Sequence, residues 1–188
     1  MPFFFEPFPT ISYDLKKNGK PEILTNVTVR FKLQNLLSDR SVVFYDYNVK
    51  DGERPDAIAY KYYNDASLDW IILLINNIVN PNYEWPLDYL SFTKYLRKKY
   101  GSVQVAQSQV HHYEKILRNQ SVEYDGTIIP QKTLWVDETT YDTLDPASRK
   151  SVSSYDYELE VNEDKRDIKI LDKRYVTQLI NEASLIFE

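Results

Sequence analysis

The chain has 188 residues, no cysteine and two histidines, which excludes a disulfide framework and a Cys-based zinc site and disfavours most transition-metal sites. A formal charge of −5 and an isoelectric point near 5.2 argue against nucleic acid as the main partner. The opening MPFFFEPFPTISYDL lacks the basic region and apolar run of a signal peptide, and the longest apolar run, residues 70–75, is too short to span a bilayer. The expectation is therefore a soluble protein made in the cytoplasm, without a membrane partner. With 16 tyrosines against 4 glycines, the chain is rich in a side chain that supplies large contact area at low entropic cost.

Residues 1–15 are aromatic and broken by prolines: Phe3, Phe4, Phe5, Pro7, Phe8 and Pro9. Proline disfavours both helix and central strand, so this stretch reads as an extended arm. That much aromatic surface must dock, either on its own domain or on a neighbouring subunit. Residues 16–22 form a polar loop, and the period-two run of Val27, Val29, Phe31 and Leu33 predicts a strand that passes into a short helix by residue 37.

The most structured pattern lies in residues 42–101. Val43, Tyr45, Tyr47 and Val49 alternate as a half-buried strand, and Asp51-Gly52 signals a turn. Pro55 suits the first turn of a helix whose apolar face carries Ile58, Ala59, Tyr62 and Tyr63. Asn64-Asp65-Ala66-Ser67 ends that helix and caps a second, residues 68–75, which is apolar nearly all round and so predicted to be buried. A third helix, with Tyr89, Phe92, Leu96 and Tyr100 on one face, follows Trp85-Pro86 and ends at Gly101.

Beyond Gly101 the period shifts towards two. Residues 103–105, 110–117, 128–129, 133–136 and 155–161 read as strands, with Asp125-Gly126 as a hairpin turn. Residues 139–154 are polar and read as a mobile loop. Ile168 to Leu171 is a short apolar segment. Asp172 then caps a last helix with a wide apolar stripe: Tyr175, Val176, Leu179, Ile180, Ala183, Ile186 and Phe187. Covering that stripe requires the chain's own sheet or a partner. The class is α+β: an arm and connector (residues 1–41), a strand–helix–helix core with an added helix (42–101), and a C-terminal antiparallel β region ending in a helix (102–188).

No constellation predicts catalysis or a cofactor. His111 and His112 are adjacent on a predicted strand and should point to opposite faces, so they would not share a metal ion. Asp156, Glu158 and Glu160 would line the solvated face of a strand, without the apolar wall that raises a glycosidase carboxyl's pKa. Phosphate loops, nucleophile elbows and HExxH motifs are absent from the sequence.

The order strand, DG turn, IAYKYY helix, WIILLINN helix resembles a LysM module, carried by Tyr47-Asn48-Val49, Asp51-Gly52, Ile58-Ala59, Tyr62-Tyr63, Leu73-Leu74 and Asn76-Asn77. It departs from one after Trp85-Pro86, where a helix stands in place of the closing strand. Combined with Phe4-Phe5-Glu6-Pro7 and the late segment around Asn162–Lys169, the chain resembles the LysM-like baseplate wedge subunit of contractile-tailed, T-even-type bacteriophages. That resemblance implies a structural virion protein of the tail baseplate, present in multiple copies, clamping or bridging other wedge proteins and joining adjacent wedges. The expected partner contacts are Phe3, Phe4, Phe5 and Phe8 of the arm and Tyr175, Leu179 and Ile186 of the last helix. The alternative is a glycan-binding module that holds peptidoglycan in the loops at residues 50–56 and 75–80.

Overall fold

The computed structural model describes residues 8–29 and 43–185. The elements begin with β1 (Thr10–Tyr13), β2 (Glu22–Thr25), β3 (Phe44–Asn48), α1 (Pro55–Tyr63), α2 (Asp69–Ile75), α3 (Tyr89–Tyr100) and α4 (Val103–Ser108). They continue with β4 (Val110–Arg118), β5 (Ser121–Val122), β6 (Ile128–Ile129), β7 (Lys132–Val136) and α5 (Glu138–Thr143). The last are β8 (Arg149–Ser153), α6 (Ser154–Glu163), β9 (Asp167–Leu171) and α7 (Val176–Leu185). The mixture of helix and sheet is that of the α+β class.

The chain divides into two compact units, one of residues 1–86 and 165–188, the other of residues 87–164. These boundaries differ from cuts after residues 41 and 101, and the reason is a long-range strand pair. β3 pairs antiparallel with β9, Phe44 opposite Leu171 and Asn48 opposite Asp167. A closing strand is thus supplied from the far end of the sequence, after the whole second unit has been inserted.

In the first unit, local chemistry sets the order around β3. Gly52 takes a φ of 72°, a value that a Cβ would strain, and Pro55 starts α1 where a missing N–H costs nothing. α1 stops at Asn64, which adopts a left-handed φ of 61° and donates its N–H to the Tyr60 carbonyl. Asp65 then accepts from the Ser67 N–H and starts the short turn leading into α2. Ile58 and Ala59 of α1 pack with Val49, Ile72, Trp85, Ile168 and Ile170. Ile71 of α2 faces a second cluster with Leu68, Trp70, Leu171, Val176, Leu179 and Ala183. Val176, Leu179 and Ala183 of α7 are therefore covered from within their own unit, by α2 and Leu171.

Polar groups finish the closure. The Asn76 side chain donates to the Lys169 carbonyl (2.8 Å) and accepts from the Lys169 N–H (2.7 Å), acting as a one-residue strand against the free edge of β9. The Tyr63 hydroxyl donates to the Leu171 carbonyl (3.1 Å), and burial pushes its pKa far up. Asp172 caps the turn before α7 by accepting from the Arg174 N–H (2.9 Å), as expected, and it also accepts from the Tyr45 hydroxyl (2.8 Å). Near the N-terminus, the expected extended arm is in part a hairpin. β1 pairs antiparallel with β2, and the Asp14 carboxylate gathers the Asn18 and Gly19 N–H groups in its turn. Residues 1–7 and most of the expected strand and helix at 27–37 lie outside the described residues, while Val27 and Thr28 form a turn.

In the second unit α3 starts at Asp88, which accepts from the Ser91 N–H, and stops at Gly101 with a φ of 84°. Phe92 and Leu96 pack with Ala106 of α4, supported by Leu87, Tyr100, Val103, Tyr155 and Leu159. β7, β4 and β8 form a three-stranded antiparallel sheet in that order. β5 and β6 extend the β4–β7 hairpin to its Asp125-Gly126 turn.

Three expectations are corrected here. Residues 103–105 are helical, because Ser102 caps α4 by accepting from the Val105 N–H. Residues 155–161 belong to α6, capped by Ser153, and not to a strand. The expected mobile loop at 139–154 contains α5, a turn at Pro146–Ser148 and strand β8, whose polar residues sit at a sheet edge with only Val152 buried.

Candidate functional site

Several carboxylates are spent on structure. Asp137 and Asp156 bind groups at the starts of α5 and α6. Glu158 is different: it lies on the inner face of α6, and its side chain is only 6% exposed. It accepts from Lys99 Nζ (2.5 Å) and from the hydroxyls of Tyr100 (2.8 Å) and Tyr95 (3.0 Å). Burial pushes its pKa up, but the hydrogen bonds of Lys99, Tyr100 and Tyr95 outweigh this and hold it below the usual carboxylate range. Lys99 is held ionised by the same contact. An ionised carboxylate with three filled hydrogen bonds is a structural anchor rather than a general acid. The reading of Glu158 on a solvated strand face is thus overturned, because α6 turns Ser154, Glu158 and Asn162 inward at a spacing of four.

The histidines are corrected too. β4 carries an irregularity between Val110 and His112, where two residues of β4 oppose one step of β8. The bulge brings His111 and His112 to the same side, with their Nδ1 atoms 2.9 Å apart. Among the described residues, no group of three or more His, Asp or Glu side chains could hold a metal ion.

What remains is surface. In the β1–β2 hairpin Ile11, Tyr13 and Leu24 share one face, with Ile23 on the other, and Ile11, Tyr13, Leu15 and Ile23 are exposed. A two-stranded hairpin is marginal by itself in water, so apolar residues left open on one mark a surface that gains from being covered. The second such place is the tip of the β4–β7 hairpin, where Val122 and Ile128 are cross-strand partners and Tyr124 is fully exposed beside them. The sequence signalled this hairpin through Asp125-Gly126 but gave no sign of its exposure.

The expected contact residues fall in different environments. Phe3, Phe4, Phe5 and Ile186 lie outside the described residues. Phe8 is buried, at 6% exposure. Tyr175 is half-buried against the α2–α7 cluster, with the Arg174 guanidinium 5.9 Å from its ring. Leu179 is fully buried in that cluster, so its side chain is spent on its own core and presents no surface.

The described residues thus make a small two-unit scaffold with filled polar interiors and open apolar hairpins, the form of a structural subunit. Residues 3–186 match the family model of base plate wedge protein 53, and the chain belongs to that family. It is 24% identical over 193 residues to the baseplate wedge protein gp53 of Enterobacteria phage T4, covering 98% of this chain and 94% of that protein. The protein is accordingly a structural component of the virion, located in the tail baseplate.

Proposed function

We infer that this subunit clamps or bridges other wedge proteins and helps join adjacent wedges as the baseplate assembles, in multiple copies. The observation that carries the reading is the apolar surface left open on two separate hairpins, at Ile11, Tyr13 and Ile23 and at Val122, Tyr124 and Ile128. Two such surfaces, one on each unit, suit a subunit with more than one protein neighbour. Phe3, Phe4 and Phe5 extend the apolar content of the first surface at the sequence level. Tyr175 and Ile186 are the corresponding contacts at the C-terminal helix, with Leu179 holding that helix in place from inside.

The same reading takes β3, α1 and α2, closed by β9, as a LysM-like module kept as scaffold. Several backbone groups of the two loops that would meet a glycan are engaged internally. The Lys50 N–H binds the Glu53 carboxylate (3.1 Å), and the Glu53 carbonyl accepts from the Trp85 indole (2.9 Å). Glu84 takes the Val79 and Asn80 N–H groups at 2.6 and 2.8 Å. A sugar would have to displace charge-assisted bonds to gain neutral ones.

Replacing Phe4 and Phe5 together by serine tests the arm. The double variant is expected to reduce co-purification of the neighbouring wedge proteins by at least about tenfold, equivalent to a loss of about 1.4 kcal/mol. Its circular dichroism should match the parent. Full co-purification by the double variant would remove the arm from the interface.

A further inference from the structure

His111 is the extra residue of the β4 bulge, and the bulge makes a four-ring cluster. The His111 ring stacks on Tyr157 of α6 at 3.8 Å between centroids and 8° between planes. The His112 ring stacks on Trp135 of β7 at 4.0 Å and 25°. The two imidazoles meet edge to face, 5.2 Å apart, with Nδ1 facing Nδ1 at 2.9 Å. That contact is a hydrogen bond only while one Nδ1 bears a proton and the other does not. Once both rings are cationic, two N–H donors and two positive charges face each other at that distance. His111 is solvent-exposed and can leave towards water, whereas the His112 side chain is only 10% exposed.

We propose that the His111–His112 pair is a proton-operated joint that ties the β4–β7 sheet to helix α6 while at most one of its rings is cationic and releases Tyr157 when both are.

The surrounding charges decide which ring moves. Glu114 Oε1 lies 3.4 Å from His112 Nε2; it also accepts from the Thr133 hydroxyl (3.0 Å), and Lys150 of β8 stands 3.8 Å from its other oxygen. A cationic His112 therefore has a carboxylate beside it. His111 has no such neighbour to itself, because Glu158 on α6 is already bound by Lys99, Tyr95 and Tyr100. Although His111 is exposed as a residue, its ring is desolvated by packing on Tyr157; this, followed by the His112 charge, lowers its pKa from the ordinary value, while Glu158 opposes the shift and Lys99 adds to it. The remaining charges packed on β4, Glu138, Asp142 and Arg149, gather round Tyr113 and Tyr141. The sign follows: with the folded value below the unfolded one, the joint is intact above about pH 6.5 and loosens as pH falls from there.

The test is an NMR titration of both imidazoles in the full chain from about pH 8 to about pH 5. The expected result is that His111 titrates below about 6.5 and that its contacts to Tyr157 are lost in the same step. In His112→Gln the His111 midpoint should move up by about half a unit or more, because the facing charge is gone. His111→Phe, which keeps a ring but cannot take a proton there, should keep its contacts to Tyr157 across the range. Independent titration of the two rings with the His111–Tyr157 contacts retained at about pH 5 would overturn the proposal. So would a His111→Phe variant in which Tyr157 still moves with the parent's pH dependence.

Discussion

Replacing Leu171 by alanine is expected to destabilise the first unit by about 2–5 kcal/mol, a large share of the roughly 5–15 kcal/mol that holds a typical domain folded. Leu171 is fully buried between α2 and α7, touching the cluster of Leu68, Trp70, Ile71, Val176, Leu179 and Ala183. Its carbonyl also accepts the Tyr63 hydroxyl, so β9 is held by side chain and backbone together. Truncation opens a cavity at the point where the N-terminal and C-terminal segments of the unit meet. Lys169→Ala is the matched control. It is exposed, two residues earlier on the same strand, and its backbone bonds to Asn76 survive the change. It should cost less than about 0.5 kcal/mol. Urea denaturation of both variants checks this. A loss below about 1 kcal/mol for Leu171→Ala would mean that β9 is not integral to the unit.

Glu158→Ala is expected to cost the second unit about 2–3 kcal/mol. The substitution removes the acceptor of two tyrosine hydroxyls and one ammonium group at once. The Lys99 side chain is 48% exposed and Tyr95 is exposed as well, so both can turn to water and most of the cost falls on Tyr100 and the void beneath α6. Glu158→Gln keeps the shape and part of the hydrogen bonding, and should cost roughly half as much. Acid gives a second readout. The folded carboxyl titrates below its ordinary value, so its contribution is complete above about pH 4.5 and is lost as pH falls through the folded value. Thermal melts between about pH 7 and about pH 3 should show a steeper acid slope for the parent than for Glu158→Gln. Equal slopes would show that the network is not ionised.

The sequence carried the local features of the first unit clearly. Asp51-Gly52, Pro55, Asn64 and the all-round apolar segment at 70–75 each act within a few residues of themselves, and each appears in the fold in its expected role. The partner of β3 was not legible, because its specificity comes from packing with residues more than a hundred positions away and not from a turn. α6 misled for a different reason. Its inner stripe is Ser154, Glu158 and Asn162, buried through hydrogen bonds, so a hydrophobicity pattern sees only the alternation of Tyr155, Tyr157, Leu159 and Val161. The one local sign of a helix there was Ser153 followed three residues later by Asp156. The histidine pair escaped because a bulge adds one residue to a strand and cancels the rule that neighbours face apart. Of the expected contacts, Leu179 lies fully buried in the α2–α7 cluster, so at that position the apolar pattern marked a core residue and not a partner surface.

The most direct measurement is size-exclusion chromatography with light scattering, on the protein alone and co-expressed with the neighbouring tail proteins of its source genome. A bridging subunit should leave its own position and co-elute with those proteins in a complex of fixed stoichiometry. A chain that remains a monomer in their presence, and binds purified peptidoglycan instead, would contradict the bridging role and return the LysM-like unit to glycan recognition.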